Sequence, residues 1–318
     1  MLKKMMYRKI IVSTSLLLVI LMLYLIPNNK EIEINTETLE YVYPNNLEVI
    51  YLLDDYNYLS RTKISASQKD EISKTKDLIE ALTINGKKKD IIANGFKSLL
   101  PENTKLLNVK LENGILTIDL SKEFNNIQEK YEEKLIESLI YTLTNIDGVE
   151  KLEILIEGKK LTNLPNSNKK LPEYLDKTYG INKKYELTSL NDIYSYTIYY
   201  VNNYNDASYY TPVTKYINSE KQDKVKIIID ELATSLTYES NLMSYLNQNT
   251  KLLNYELSDD IIKLNFNNVI LSDITSNTIL EEVIYTISLS LCDELNIEQV
   301  IFQVDNQEIY TFSEKPLD

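Results

Sequence analysis

The chain has 318 residues, with 34 Lys and Arg against 47 Asp and Glu, no His, no Trp and one Cys. The absence of His excludes a Ser-His-Asp triad and every His-containing metal motif, and the lone Cys292 excludes an intramolecular disulfide. The six glycines form neither a P-loop nor a dinucleotide-binding loop, and the acidic balance predicts a surface that repels nucleic acid. This length is typical of about two domains.

Residues 1–27 form a basic tip and an apolar run, and they predict a membrane anchor. Four cations precede the run, which extends from Ile10 to Ile26 and ends at Pro27. Its length is at the short end of the range for a transmembrane helix. Because the cations precede the run, we expect a cytoplasmic N-terminus and an extracytoplasmic bulk of the chain. The residues before Pro27 are poor for signal-peptide cleavage, although cleavage stays open.

An internal repeat follows the linker at residues 28–46. Residues 103–120 read NTKLLNVKLENGILTIDL, and residues 249–266 read NTKLLNYELSDDIIKLNF. The apolar positions coincide even where identity stops. Self-similarity of this kind indicates two copies of one structural unit.

Each copy of the repeat predicts a β-hairpin. In the first copy Asn113-Gly114 is a favoured two-residue turn, because type I′ geometry needs a positive φ at both positions. Such a turn places three apolar pairs on one face of the hairpin: Leu111 with Leu116, Val109 with Ile118, and Leu107 with Leu120. The second copy gives the corresponding pairs Leu257–Ile262, Tyr255–Leu264 and Leu253–Phe266 around the weaker turn Asp259-Asp260.

A helix and a strand follow each hairpin. An apolar stripe from Leu135 to Leu143 predicts the first helix, and a stripe from Ile279 to Ile287 predicts its counterpart, so that Tyr141-Thr142 aligns with Tyr285-Thr286. Alternating apolar residues predict the strands, and a looser match places a first strand and an early helix before each hairpin.

We therefore expect an α+β fold with two tandem β-α-β-β-α-β domains, with room for a further strand after the first. In each domain, both helices lie on one face of a small, mostly antiparallel sheet. The predicted domains are residues 47–161 and 195–318, separated by a linker at 162–194 that has no sustained period. Part of this linker, around Leu171 to Leu187, is expected to pack on the domains.

The order of these motifs, given twice, resembles the tandem GerM-type (GerMN) sporulation and spore-germination domain family. The motifs that carry the resemblance are Asp54-Asp55 after the first strand, Leu99-Leu100-Pro101, Thr104 to Leu107, Gly114 to Ser121, Ile140 to Thr144, Gly148-Val149, Glu157-Gly158-Lys159, and the linker segment Leu175 to Asn182. The resemblance implies an extracytoplasmic protein with a fold similar to ring-building domains, and it supplies no catalytic residues. This chain departs from the family by lacking a lipoprotein Cys and by having Asp260 and Asn306 where the first copy has Gly114 and Gly158.

Few side chains are candidates for a ligand site. Aromatic faces suit sugar rings, and a tyrosine-rich segment offers four candidate contacts for a glycan or a partner: Tyr199, Tyr200, Tyr209 and Tyr210. The acidic candidates are Asp54-Asp55, Asp119 with Glu123, and Asp259-Asp260; surface or turn roles account for them more simply than glycoside hydrolysis. The residues point to no catalytic, cofactor-binding or metal-binding site.

The predicted function is a non-catalytic, membrane-anchored extracytoplasmic protein, an assembly or scaffold component of a sporulation or germination envelope complex. The alternative is a peptidoglycan- or glycan-binding module or a weak cell-wall hydrolase. The expected partners are envelope or sporulation-complex proteins, with peptidoglycan and homo-oligomers open, and the membrane contact is made by residues 10–26.

Overall fold

The computed structural model describes residues 47–67, 70–205, 207–218, 223–234 and 241–313. The predicted anchor at residues 10–26 and the linker at 28–46 lie outside these residues. The residues within these ranges include no helix with the length and apolarity needed to cross a membrane. Both copies of the repeat belong to one compact unit that begins at Pro44.

The first repeat and the linker contain eight strands and two α-helices. The strands are β1 (Leu47–Asp54), β2 (Leu59–Ser65), β3 (Phe96–Lys97), β4 (Leu106–Glu112), β5 (Ile115–Leu120), β6 (Lys151–Ile156), β7 (Lys159–Lys160) and β8 (Lys184–Glu186). The helices are α1 (Glu71–Leu82) and α2 (Glu132–Leu143). Asp70 caps α1, because its carboxylate accepts a hydrogen bond from Ser73 N.

The second repeat has longer first strands, lacks a counterpart of β3 among the described residues, and adds two short strands after its hairpin. Its strands are β9 (Ile193–Tyr204), β10 (Ala207–Asn218), β11 (Leu252–Ser258), β12 (Ile261–Phe266), β13 (Leu271–Asp273), β14 (Thr278–Ile279), β15 (Gln299–Val304) and β16 (Gln307–Ser313). Its helices are α3 (Lys224–Thr234) and α4 (Glu281–Leu295).

The structure corrects the prediction of one sheet per domain. The first strands of both repeats share a central sheet of order β3-β1-β2-β10-β8, in which β9 also pairs with β10. Each hairpin forms its own sheet, β4-β5-β6-β7 or β11-β12-β15-β16, and these sheets are mixed because β5 is parallel to β6 and β12 to β15. The physical reason is burial: residues 50–54 are all buried, so β1 needs cover on both faces and cannot lie in a sheet with one solvated face.

Both predicted hairpins form, and each contains a β-bulge that the prediction missed. The inner pairs are as expected, including Val109 with Ile118 and Tyr255 with Leu264. At the far end, however, Leu106 and not Leu107 faces Leu120, because the register shifts between Leu106 and Asn108. The second hairpin shifts at the equivalent place, so Leu252 and not Leu253 faces Phe266. The two bulge leucines, Leu107 and Leu253, are therefore 50% and 54% exposed.

The structure also corrects the alignment of the second helices by one turn. Helix α4 begins at Glu281, so Ile279 and Leu280 precede it. Thr142 Oγ1 of α2 accepts a hydrogen bond from Tyr51 N at 3.0 Å, and Ser290 Oγ of α4 accepts one from Tyr199 N at 2.9 Å. Tyr51 and Tyr199 hold the same place in β1 and β9, so Thr142 corresponds to Ser290 and not to Thr286. A shift of one turn leaves an apolar stripe unchanged, which is why the sequence pattern did not reveal it.

The predicted linker is part of the core. Leu164, Leu171, Leu175 and Ile181 are buried, and Leu175 pairs with Leu152 of β6 through two backbone hydrogen bonds of 2.7 and 3.0 Å. The linker then runs along the place where the two repeats meet.

Candidate functional site at the seam between the repeats

Three of the polar side chains that sequence analysis singled out, Asp54, Tyr199 and Tyr209, lie where the repeats touch. We call this contact the seam. It is formed by β1 and β2 of the first repeat and β9 and β10 of the second. Among the side-chain contacts that join the repeats there are Tyr51 OH with Tyr199 OH at 2.6 Å, Ser60 Oγ with Thr211 Oγ1 at 2.6 Å, and Asn202 Nδ2 with Asp54 Oδ2 at 3.4 Å.

Each of these contacts joins a residue to its own counterpart. Ser60 faces Leu52 in the β1–β2 ladder, and Thr211 faces Tyr200, the counterpart of Leu52, in the β9–β10 ladder. Contact between equivalent positions is the property of an isologous interface, which has a two-fold axis. The two repeats are therefore related by a pseudo-two-fold axis through the seam, like the subunits of a dimer.

A half-buried ion pair extends the tyrosine contact. Tyr199 OH donates to Asp293 Oδ2 at 2.7 Å, and Lys177 Nζ of the linker pairs with Asp293 Oδ1. Lys177 also donates to Asn145 Oδ1 at 3.0 Å. Asn145 lies three residues after Thr142, and Asp293 lies three residues after Ser290, the counterpart of Thr142. Lys177 of the linker therefore bridges another pair of equivalent residues.

The two seam tyrosines are held in their neutral form. Burial raises the pKa of Tyr51 to about 12, with the Asp293 carboxylate adding to the effect. Burial and Asp293 likewise raise the pKa of Tyr199 well above its ordinary value. At neutral pH these hydroxyls can donate and accept hydrogen bonds but cannot act as bases.

Asp54 is the buried carboxylate of the seam. Its Oδ1 accepts hydrogen bonds from Tyr56 N at 2.9 Å and Tyr58 N at 2.8 Å. Its Oδ2 accepts from Ser60 Oγ at 3.0 Å and Tyr209 OH at 3.1 Å, in addition to Asn202. With its lone pairs used in this way, Asp54 fixes the β1–β2 turn and ties it to the second repeat.

Asn182 of the linker joins the two central strands directly. Its Oδ1 accepts from Leu59 N at 2.9 Å, and its Nδ2 donates to Leu59 O and Pro212 O, both at 2.8 Å. The residue sits at a φ of 47°, a left-handed conformation that asparagine tolerates better than most residues. One side chain thus adds hydrogen bonds between β2 and β10 beside their ladder pair, Arg61 with Tyr210.

The four predicted tyrosine contacts lie in or beside this core. Tyr199, Tyr200 and Tyr209 are buried, and Tyr210 is half-buried, with its ring stacked on Tyr285 at 5.2 Å between centroids. A ring must be exposed to stack on a sugar. The glycan or partner role of these residues stays a prediction, and their burial does not support it.

The other acidic candidates have local structural contacts. Asp119 Oδ1 accepts from Gly158 N at 2.9 Å, and Asp55 pairs with Lys97 at 2.6 Å on the surface. Asp259 lies in the hairpin turn at a φ of 48°. Over the ranges that the structure describes, no group of three or more Cys, Asp or Glu residues is arranged to hold a metal ion.

Sequence reasoning missed Lys177, Asn182 and Asp293 as seam residues. Lys177 and Asn182 fall in the linker segment that looked familial, which was a usable signal. No sequence signal pointed to Asp293. Its role becomes clear only when α4 is aligned correctly with α2, and the sequence-based alignment was wrong by one helical turn.

The comparisons with known proteins agree with this architecture. The Germane family, described as "Sporulation and spore germination", matches residues 49–162 and again residues 197–310. The spore germination protein GerM of Bacillus subtilis (strain 168) is 29% identical over 265 residues, which cover 81% of this chain and 71% of that protein. The solved tandem GerMN domains of the sporulation protein GerM from Bacillus subtilis are 28% identical, with a TM-score of 0.75, and the match covers 82% of this chain and 91% of that chain.

These matches confirm the predicted resemblance and the α+β fold class, with four helices and mixed sheets. Because the family matches most of both repeats, the chain belongs to the Germane family of sporulation and spore-germination proteins and carries its domain twice in tandem.

Proposed function

We propose that this protein is a non-catalytic scaffold, anchored in the membrane, for an extracytoplasmic complex of sporulation or germination. The observation that carries the proposal is the use made of its polar groups. Asp54, Tyr199 and Asp293 are engaged in the hydrogen bonds and the ion pair of the seam between the repeats. A seam of this kind builds a rigid platform.

The open sheet edges support a role in assembly. Strands β4, β11 and β16 are edge strands of the two outer sheets. Unpaired backbone groups on such edges are a surface to which a partner strand can add. The likeness to ring-building domains that the family resemblance implies is consistent with this use.

A crosslinking experiment tests the scaffold role. We place a photo-crosslinking residue at Tyr310 of β16, which is exposed, and a matched one at Lys122, which is exposed outside the edge strands. Irradiated membranes are expected to give discrete adducts with envelope proteins from Tyr310 and not from Lys122. The same pattern from both positions, or adducts from neither, contradicts the proposal.

Cysteine labelling tests the anchor and its orientation. Cys292 is buried and gives a low background. We expect a membrane-impermeant maleimide to label Leu190→Cys on intact spheroplasts, because Leu190 is 87% exposed and proposed to lie outside. Lys3→Cys, on the proposed cytoplasmic tip, should react only after lysis. Labelling of Lys3→Cys on intact spheroplasts, or protection of Leu190→Cys, contradicts the orientation.

Incubation with insoluble peptidoglycan tests the absence of catalysis. Release of soluble fragments that is lost in Asp119→Asn would establish a hydrolase in place of the scaffold.

A further inference from the structure

A cleft lies between the N-terminal end of α2 and the linker, away from the candidates that the sequence suggested. Its volume is about 860 Å³, within the range of roughly 300–1,000 Å³ for small-molecule sites. Lysine, glutamate and tyrosine side chains line it. None of the four predicted tyrosines is among them.

The lining of the cleft has one more lysine than glutamate, on a protein that is acidic as a whole. Four lysines and three glutamates line the cleft, whereas the whole chain has a net charge of −13. Two of the lysines are neutralised: Lys183 pairs with Glu137 at 3.2 Å, and Lys169 pairs with Glu133. The remaining two are Lys130, whose ammonium lies 4.6 Å from the ring centre of Tyr131, and Lys134.

Lys134 has neutral hydrogen-bond partners. Its Nζ donates to Asn57 O at 2.6 Å and to Asn182 Oδ1 at 3.5 Å. Over the described part of the chain, no carboxylate lies within ion-pair distance of it. Burial lowers the pKa of Lys134, although Glu137 and Asp54 oppose the effect. The direct hydrogen-bond partners of this half-buried ammonium are both uncharged, so an anionic ligand in the cleft would offer it a charged acceptor.

An exposed aromatic face lines the same cleft. Tyr185 is 61% exposed, and its ring stacks on Tyr216 with centroids 4.7 Å apart and planes 19° apart. The pairing of β8 with β10 fixes this stack, because Tyr185 and Tyr216 are partners in the ladder. A ring held from behind offers a flat apolar face at little entropic cost, which suits the apolar face of a sugar.

We propose that this cleft binds an anionic saccharide, with the sugar ring against Tyr185 and a carboxylate or phosphate on Lys134. A carboxylate and a phosphate would bind here in the same way, because each has an oxyanion that accepts hydrogen bonds from an ammonium group. The proposed binding site is independent of the scaffold role. Either proposal can fail without the other.

Three sugars with one ring system test the proposal by calorimetric titration of the full chain in mild detergent. N-acetylglucosamine is neutral, N-acetylmuramic acid adds a carboxylate, and N-acetylglucosamine 6-phosphate adds a phosphate. We expect at least one anionic sugar to bind about tenfold or more tighter than the neutral one, as one charge-assisted hydrogen bond would give. The tighter of the two identifies the source of the charge.

Four variants separate binding from folding. Lys134→Met should reduce the affinity for the anionic sugar to that for the neutral one, while Lys134→Arg, which keeps the charge, should retain most of it. Tyr185→Ala should weaken all three sugars. Lys122→Met, an exposed lysine outside the cleft, should change none of these affinities. The melting temperature of each variant shows that it is folded.

Two results would overturn the proposal. One is that the three sugars bind with the same affinity or that none of them binds saturably. The other is an unchanged affinity for the anionic sugar in folded Lys134→Met. If Lys134→Met does not fold, the outcome rests on Tyr185→Ala, whose exposed ring the core does not need; unchanged affinities there contradict the site.

Discussion

At the scale of the residue, neighbours in the chain have opposite roles. Asp54 is buried and accepts hydrogen bonds from both repeats, whereas Asp55 beside it makes an exposed ion pair with Lys97. The sequence offered them as one acidic pair. Asp54 is the last residue of β1, whereas Asp55 lies beyond the strand. Composition and spacing do not predict at which residue the strand ends.

Exchanging each of these carboxylates for an amide tests this difference. Asp54→Asn places an NH₂ group against the donors Ser60, Asn202 and Tyr209, and we expect it to lower the free energy of unfolding by about 2 kcal/mol. Asp55→Asn should change it by less than about 0.5 kcal/mol. Urea denaturation measures both, and equal losses would contradict the assigned roles.

The seam tyrosines predict a loss of stability in alkali. Their pKa values are raised in the folded protein, so their contribution is complete below pH 10, the ordinary pKa of tyrosine, and is lost as pH rises towards the folded value of about 12 for Tyr51. Urea denaturation between pH 8 and pH 11.5 should show this decline. Tyr199→Phe should be less stable at pH 8 and decline less steeply, and an identical slope would exclude the tyrosines as the cause.

At the scale of the element, polar side chains of α2 and α4 accept hydrogen bonds from backbone N–H groups of β1 and β9. Thr142 and Ser290 accept from Tyr51 N and Tyr199 N, and Glu294 accepts from Thr197 N at 2.6 Å. The hairpins, the helices and the strand after each second helix could be predicted from the sequence, since apolar periodicity sets them, whereas β3, β7, β13, β14 and β16 were not predicted. The bulges at Leu107 and Leu253 and the one-turn shift of α4 could not, because neither changes the apolar pattern by which the elements are found.

Two serines of α4 provide a matched test of this contact. Both are fully buried, but Ser290 Oγ accepts from Tyr199 N, while Ser288 Oγ has no hydrogen-bond partner among the described residues. Ser290→Ala should cost about 1–2 kcal/mol of unfolding free energy, because it leaves a buried N–H without an acceptor. Ser288→Ala should be neutral or stabilising by up to about 1 kcal/mol. The reverse order of stabilities would show that α4 has been placed in the wrong register.

At the scale of the whole molecule, the two repeats and the linker form one body. The central sheet takes strands from both repeats, and Lys177 and Asn182 of the linker join them at the seam. The sequence predicted two domains separated by a linker. An internal repeat shows how many copies of a unit there are, but it does not show how the copies pack on each other. Residues 196–202 in β9 are continuously buried, like residues 50–54 in β1, because these strands are covered on both faces.

The central claim is that the seam makes the two repeats a single cooperative unit. Scanning calorimetry of residues 44–318, the compact unit that holds both repeats, tests it most directly. We expect one endotherm whose calorimetric and van't Hoff enthalpies agree. In Asn182→Ala the endotherm should move to lower temperature. Two resolved transitions in the unaltered protein, one for each repeat, would contradict the account.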